Sequence, residues 1–223
     1  MKKVGAITIG QAPRPDICGE IQALLGDDYC LVEAGALDGL TPQQVHALQP
    51  AAGEDVLVTR LADGSIVQVA ERHLAPRVQE KINALFAQGL PLVLLLCTGE
   101  FPPFEARGLL LQPQALLRQV AAALAGGRKV GVLCPTVAHL PQVSRQWAAV
   151  LTAEPVVRWV SPYEGVRGVE QAARELKSAG VELVALDCIA YMLAMQAAVR
   201  EAAGVPVLLP RSLAACVVRA VLG

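Results

Sequence analysis

Short runs rich in Val, Ile and Leu alternate along this chain with longer stretches in which apolar residues recur every three or four positions. That alternation predicts βαβ units and a parallel sheet, with strands buried on both faces and helices packed over them. The expected strands are Val4 to Ile9, Leu31 to Glu33, Leu92 to Cys97, Val130 to Cys134, Pro155 to Val160, Leu183 to Cys188 and Val205 to Leu208. Helices are predicted over Pro15 to Leu25, Ala70 to Ala87, Gln114 to Ala125, Leu140 to Leu151, Val166 to Ala179, Ala190 to Ala203 and Leu213 to Leu222. Gly89, Gly126-Gly127, Gly180 and Gly204 fall where helix C-caps are expected. One segment breaks the rhythm. Val56 to Leu61 and Ser65 to Val69 flank Ala62-Asp63-Gly64, a hairpin signal, so a β-hairpin is inserted at about 54–69.

The pattern also repeats. Lys3-Val4-Gly5-Ala6-Ile7 is echoed by Lys129-Val130-Gly131-Val132-Leu133, and Leu92 to Cys97 by Leu183 to Cys188. The first pair lies 126 residues apart (3 to 129) and the second 91 (97 to 188), leaving about 35 extra residues in the first half, roughly the stretch around the hairpin. A duplicated α/β lobe with one insertion accounts for this.

Composition narrows the function. The 223 residues carry a formal net charge of -1 with no block of like charge, so nucleic acid and anionic membrane surfaces are not expected partners. The apolar run after Met1-Lys2-Lys3 is too short for a signal peptide and no stretch reads as a membrane span, which points to the cytoplasm. Six cysteines without a C-x-x-C pair argue against a disulfide frame or structural zinc, and His46, His73 and His139 lack ligand spacing. No G-x-G-x-x-G or P-loop occurs; no metal or cofactor is expected.

Ligands of open parallel sheets bind beyond the carboxyl ends of the strands, where Cys97 and Cys188 are both predicted to stand. A thiol facing a helix N-terminus has its thiolate favoured and can serve as a base near neutral pH. Two such thiols on opposite sides of one molecule suit proton transfer at a carbon next to a carboxylate or carbonyl. Thr98 and Gly99, and Thr136 in the second half, are candidate donors to the developing oxyanion. The loop Thr8-Ile9-Gly10-Gln11-Ala12-Pro13-Arg14-Pro15-Asp16 adds Thr8, Gly10, Gln11 and Arg14, the last able to grip a carboxylate or, equally, to pair at the surface while Asp16 caps a helix. Glu100 and Asp187 flank the thiols as orienting or capping groups, Cys18, Cys30, Cys134 and Cys216 read as buried small hydrophobes, and Trp147 and Trp159 as packing residues.

Ile7 to Asp16, Gly35-Ala36-Leu37-Asp38-Gly39-Leu40, Leu57 to Gly64 and Leu186-Asp187-Cys188 together resemble the AroM protein family across essentially the whole chain. That family resembles a branch of the aspartate, glutamate and hydantoin racemase superfamily. The resemblance implies two similar lobes with parallel sheets related by pseudo-twofold symmetry, here 1–105 with 206–223 and 106–205, with the site between them. It also implies a cofactor-independent racemase, isomerase or decarboxylase acting on a small carboxylate or amino-acid-like metabolite, its two catalytic cysteines falling on Cys97 and Cys188. Thr98-Gly99 and Ile189-Ala190 stand where glutamate-type enzymes carry Asn-Thr and Thr-His, which makes glutamate a poor candidate substrate. A non-catalytic metabolite-binding or regulatory protein and a redox-sensing thiol protein are the alternatives, and a homo-oligomer is left open.

Overall fold

The computed structural model describes residues 1–54 and 56–223; Asp55, inside the expected hairpin span, lies outside the described residues. The chain divides into two compact units, Met1–Gln112 with Val218–Gly223, and Pro113–Val217.

In the first unit, β1 (Lys2–Thr8), β2 (Tyr29–Gly35), β5 (Leu92–Leu96) and β6 (Leu109–Leu111) form a parallel sheet in the order β2-β1-β5-β6. Its helices include α1 (Pro15–Leu25), α2 (Pro42–His46) and α3 (Glu71–Ala87). The central strands are buried on both faces, as the unbroken apolar runs require. Ile7, Val93 and Leu95 project onto Leu74, Val78, Ile82 and Leu85 of α3, the apolar stripe of an otherwise polar helix. The hairpin is β3 (Val56–Arg60) paired antiparallel with β4 (Ile66–Ala70), and the Leu61–Ser65 turn between them closes through backbone bonds with Gly64 at φ 87°. Leu57, Leu61 and Val69 join the same core as Cys97.

The second unit repeats the design. Strands β7 (Val130–Cys134), β8 (Val156–Trp159), β9 (Leu183–Leu186) and β10 (Val207–Leu208) form a parallel sheet in the order β8-β7-β9-β10. Strand alternation divides it between two cores. Leu133, Val184 and Leu186 face α6 (Val166–Ser178) and α7 (Leu193–Ala203), whereas Val130, Val132, Cys134, Leu183 and Ala185 face α4 (Pro113–Ala125) and α5 (Leu140–Ala148).

Matched by topology, β1, β2, β5 and β6 correspond to β7, β8, β9 and β10, and two of these pairs, β1 with β7 and β5 with β9, are those of the sequence echo. The units differ in two places. The first inserts α2 and the hairpin between β2 and α3, and its β5 to β6 connection has no helix where the second unit has α7. Sequence patterning overlooks β6, three residues long, and the five-residue α2, which is fixed by a reciprocal Thr41 and Gln44 capping box. The resemblance assigns 206–223 to the first lobe. In the structure β10 hydrogen-bonds to β9, and only Val218–Gly223 clusters with the first unit.

Candidate functional site

The two candidate thiols occupy equivalent positions. Cys97 and Cys188 each follow one of the two inner strands of a four-stranded sheet, β5 and β9, and in each the backbone N–H turns back to the carbonyl two residues earlier, Leu95 and Leu186, at 2.9 Å. This tight turn ends the strand and points the next residues out of the sheet. The Gly99 N–H then donates to the Cys97 sulfur at 3.2 Å. A Cβ on Gly99 would lie 2.4 Å from a Leu57 methyl and 3.3 Å from that sulfur, so the glycine lets the hairpin and the thiol close on the same backbone. Cys97 is 7% exposed, at the end of the first core; Cys188 is half-buried against the second. All six cysteines are thiols.

The polar loop after β1 is a knot of internal hydrogen bonds. Arg14 is buried and its guanidinium fork holds Asp16 through two 2.8 Å bonds while Nη1 donates to the Thr8 hydroxyl at 3.3 Å. Its own N–H donates to Glu33 at 2.7 Å. The fork considered for a substrate carboxylate is thus closed on the protein's own one. Gln11 likewise spends its amide inside the fold. Its Nε2 donates to the carbonyls of Leu37 and Leu40, both at 3.3 Å, and its Oε1 accepts the Ala62 N–H at 2.9 Å. Asp38 accepts the N–H groups of Ala12 at 2.8 Å and Gly35 at 2.7 Å. Three loops separated in sequence, 8–16, 35–40 and 57–64, are therefore stitched together at the carboxyl end of β1. Gly10 sits at the seam: a Cβ there would fall 2.2 Å from the Arg60 carbonyl oxygen and 2.5 Å from the Thr59 hydroxyl.

The second unit surrounds Cys188 with buried polar groups. Asp187 accepts the indole N–H of the fully buried Trp147 at 2.7 Å. The Tyr191 hydroxyl donates to the Val160 carbonyl at 2.7 Å. Arg211, fully buried at the start of α8 (Pro210–Leu222), donates from Nε at 3.1 Å and Nη2 at 2.7 Å to the Ile189 carbonyl, pinning the segment that follows Cys188. Thr136 bonds its hydroxyl to the His139 ring at 2.7 Å, and Thr98 is half-buried beside Cys97.

Electrostatics separate the thiols. Burial, and then the nearby Asp187 charge, push the Cys134 thiol up to about 12, and burial with Glu33 raises Cys18 further. Both are buried, as expected of small hydrophobes, whereas Cys30 is half-buried and Cys216 exposed. Trp159 is 48% exposed because β8 is an edge strand, which corrects its reading as a packing residue. Burial raises Asp16, but the Arg14 hydrogen bond and charge, the hydrogen bond from its own backbone N–H and the Arg60 charge outweigh that, so its carboxyl titrates below the usual range. Arg211, Asp38 and Glu33 escape a reading of the sequence alone; a lone charge in the apolar run around Pro210 is the one visible sign of Arg211.

Among the described residues no group of His, Cys, Asp and Glu is arranged to hold a metal ion, and no helix is long and apolar enough to cross a membrane.

The fold is that of a class of solved α/β enzymes. A Nocardia farcinica maleate cis-trans isomerase mutant with a covalently bound succinylcysteine intermediate matches with a TM-score of 0.66, 14% identity, and coverage of 99% of this chain and 92% of that one. Allantoin racemase from Klebsiella pneumoniae matches at TM-score 0.64 and 16% identity, covering 100% of this chain and 88% of that one. A liganded mutant of arylmalonate decarboxylase matches at TM-score 0.62 and 17% identity, with 100% and 92% covered. Among curated proteins none matches the sequence. The chain belongs to the AroM protein family, whose model matches residues 4–222.

Proposed function

We propose that the protein is a racemase- or isomerase-like enzyme that moves a proton with Cys97 and Cys188, without a cofactor, on a small carboxylate or amino-acid-like metabolite in the cytoplasm. The observation that carries this is the repeated placement of the two thiols, each just past the matching inner strand of its sheet, β5 or β9, each on the same backbone turn. The fold shared with an isomerase, a racemase and a decarboxylase supports the reaction class.

In the proposed step one cysteine, as thiolate, takes the proton from the carbon beside the carboxylate, and the other, as thiol, returns a proton to the opposite face. The two sulfurs exchange protonation states and the substrate's configuration inverts. Where the carbon bears a second carboxylate, C–C cleavage releases carbon dioxide and the thiol protonates the resulting carbanion. The Gly99 N–H on the Cys97 sulfur favours its thiolate, and the Arg211 grip on Ile189 holds the Cys188 segment. Thr8, Gly10, Thr98, Gly99 and Thr136 line the substrate oxygens in this reading; Gln11 and Arg14 act through the loop they brace.

The test is solvent deuterium incorporation into 2-arylpropanoates, 2-hydroxy acids and allantoin, followed by NMR, with Cys97→Ala and Cys188→Ala alongside wild type. Each substitution is expected to slow exchange about 10²- to 10⁴-fold, the usual contribution of a positioned acid or base. Exchange indifferent to both substitutions refutes the roles. Thermal stabilisation by carboxylates without exchange favours a metabolite-binding protein instead.

A further inference from the structure

Strand alternation in the hairpin places Leu57 and Thr59 on its buried face, with Val58 and Arg60 half-buried on the other. Thr59 is 2% exposed, and among the described residues its hydroxyl has no hydrogen-bond partner. A buried hydroxyl without a partner is unfavourable, and valine would fill the same space without that cost. The hydroxyl lies where the hairpin meets the β1 loop, 2.5 Å from where a Cβ of Gly10 would sit.

A second hydroxyl flanks the same glycine. Thr8 is buried, and its Oγ1 accepts two hydrogen bonds, from the Gly10 N–H at 3.2 Å and from Arg14 Nη1 at 3.3 Å. With its oxygen so engaged, its own hydrogen must point elsewhere, and donation from a guanidinium makes that O–H a stronger donor. Two buried O–H groups, one polarised by a cation, match a group that only accepts hydrogen bonds and carries negative charge.

We propose that Thr59, together with Thr8, forms a two-hydroxyl subsite for one carboxylate of the ligand at the carboxyl end of β1, so that the hairpin contributes directly to substrate binding. This rests on the reading of the site as one for small carboxylates. It adds a residue from the inserted hairpin, a segment that the second unit lacks.

The test compares Thr59→Val and Thr59→Ser with wild type by thermal unfolding and calorimetric titration, using phenylmalonate and maleate as probes. Valine keeps the shape and removes the donor, so unfolding without ligand is expected at the same temperature or higher. Affinity for the dicarboxylate should fall about tenfold or more, the value of a hydrogen bond to a charged group, while serine retains it. Wild-type affinity in the valine variant overturns the proposal and leaves the hydroxyl to a structural water. A marked loss of ligand-free stability in that variant also overturns it, because the hydroxyl then serves the fold. Failure of both probes to bind wild type rules out a carboxylate subsite. Thr59-dependent binding without deuterium exchange supports the subsite and sinks only the proton-transfer reading.

Discussion

The docking of the hairpin on the end of β1 makes one glycine indispensable and another dispensable. In Gly10→Ala the new methyl would lie 2.2 Å from the Arg60 carbonyl oxygen, about 1 Å inside an ordinary contact, and the obstacle is backbone that no rotamer change can clear. The hairpin would have to retreat by about that distance, stretching the Gln11 N–H bond to Arg60, now 3.3 Å, and the Ala62 N–H bond to Gln11, now 2.9 Å. Overpacking at about 1–3 kcal/mol and two weakened hydrogen bonds at about 0.5–1 kcal/mol each put the loss near 3 kcal/mol. For a chain of this size that lowers the unfolding midpoint by about 6–12 °C. Gly19 offers the control. It is exposed inside α1 with nothing within 4 Å of the place a methyl group would take, so Gly19→Ala should stabilise by about 0.5–1 kcal/mol through helix propensity. Urea titration followed by circular dichroism reads both variants. A Gly10→Ala protein as stable as wild type would show that the hairpin does not rest on the β1 loop, and the explanation of that loop would fall with it.

Asp16→Asn should cost about 1–2 kcal/mol at neutral pH by weakening the Arg14 fork. Because the folded Asp16 titrates below 3.8, its contribution is present above that pH and is lost as acid protonates the folded form; the variant should show a flatter acid limb in stability against pH, and an unchanged limb contradicts the fork. Cys134, held near 12 against an ordinary 9.0, keeps its proton in the fold while the unfolded chain loses it, so its contribution is complete below pH 9 and declines as pH rises towards 12. Alkylation by iodoacetamide at pH 8, followed by peptide mass spectrometry, should accordingly label exposed Cys216 well before Cys134, and equal rates would count against the burial of Cys134.

The sequence alone determined the periodic elements and their duplication. Helix α1 is legible at its observed limits, Pro15–Leu25, and β7 at Val130–Cys134, because strong apolar periodicity and local caps act over a few residues and are written in their order. The echo between the halves matches strands that prove topologically equivalent, since a buried parallel strand admits few residue types. The loops are a different matter. Nothing local distinguishes an Arg14 reaching for a substrate from one that folds back on Asp16, or a Gln11 that binds ligand from one clamped between Leu37, Leu40 and Ala62. Those partners lie as far as 51 residues away, and side-chain commitments of that kind depend on which loops the fold brings within about 3 Å. Tertiary structure also decided that Arg211 pins Ile189 and that Thr59 turns inward, because burial of a polar group is set by what covers it and not by its neighbours in the chain.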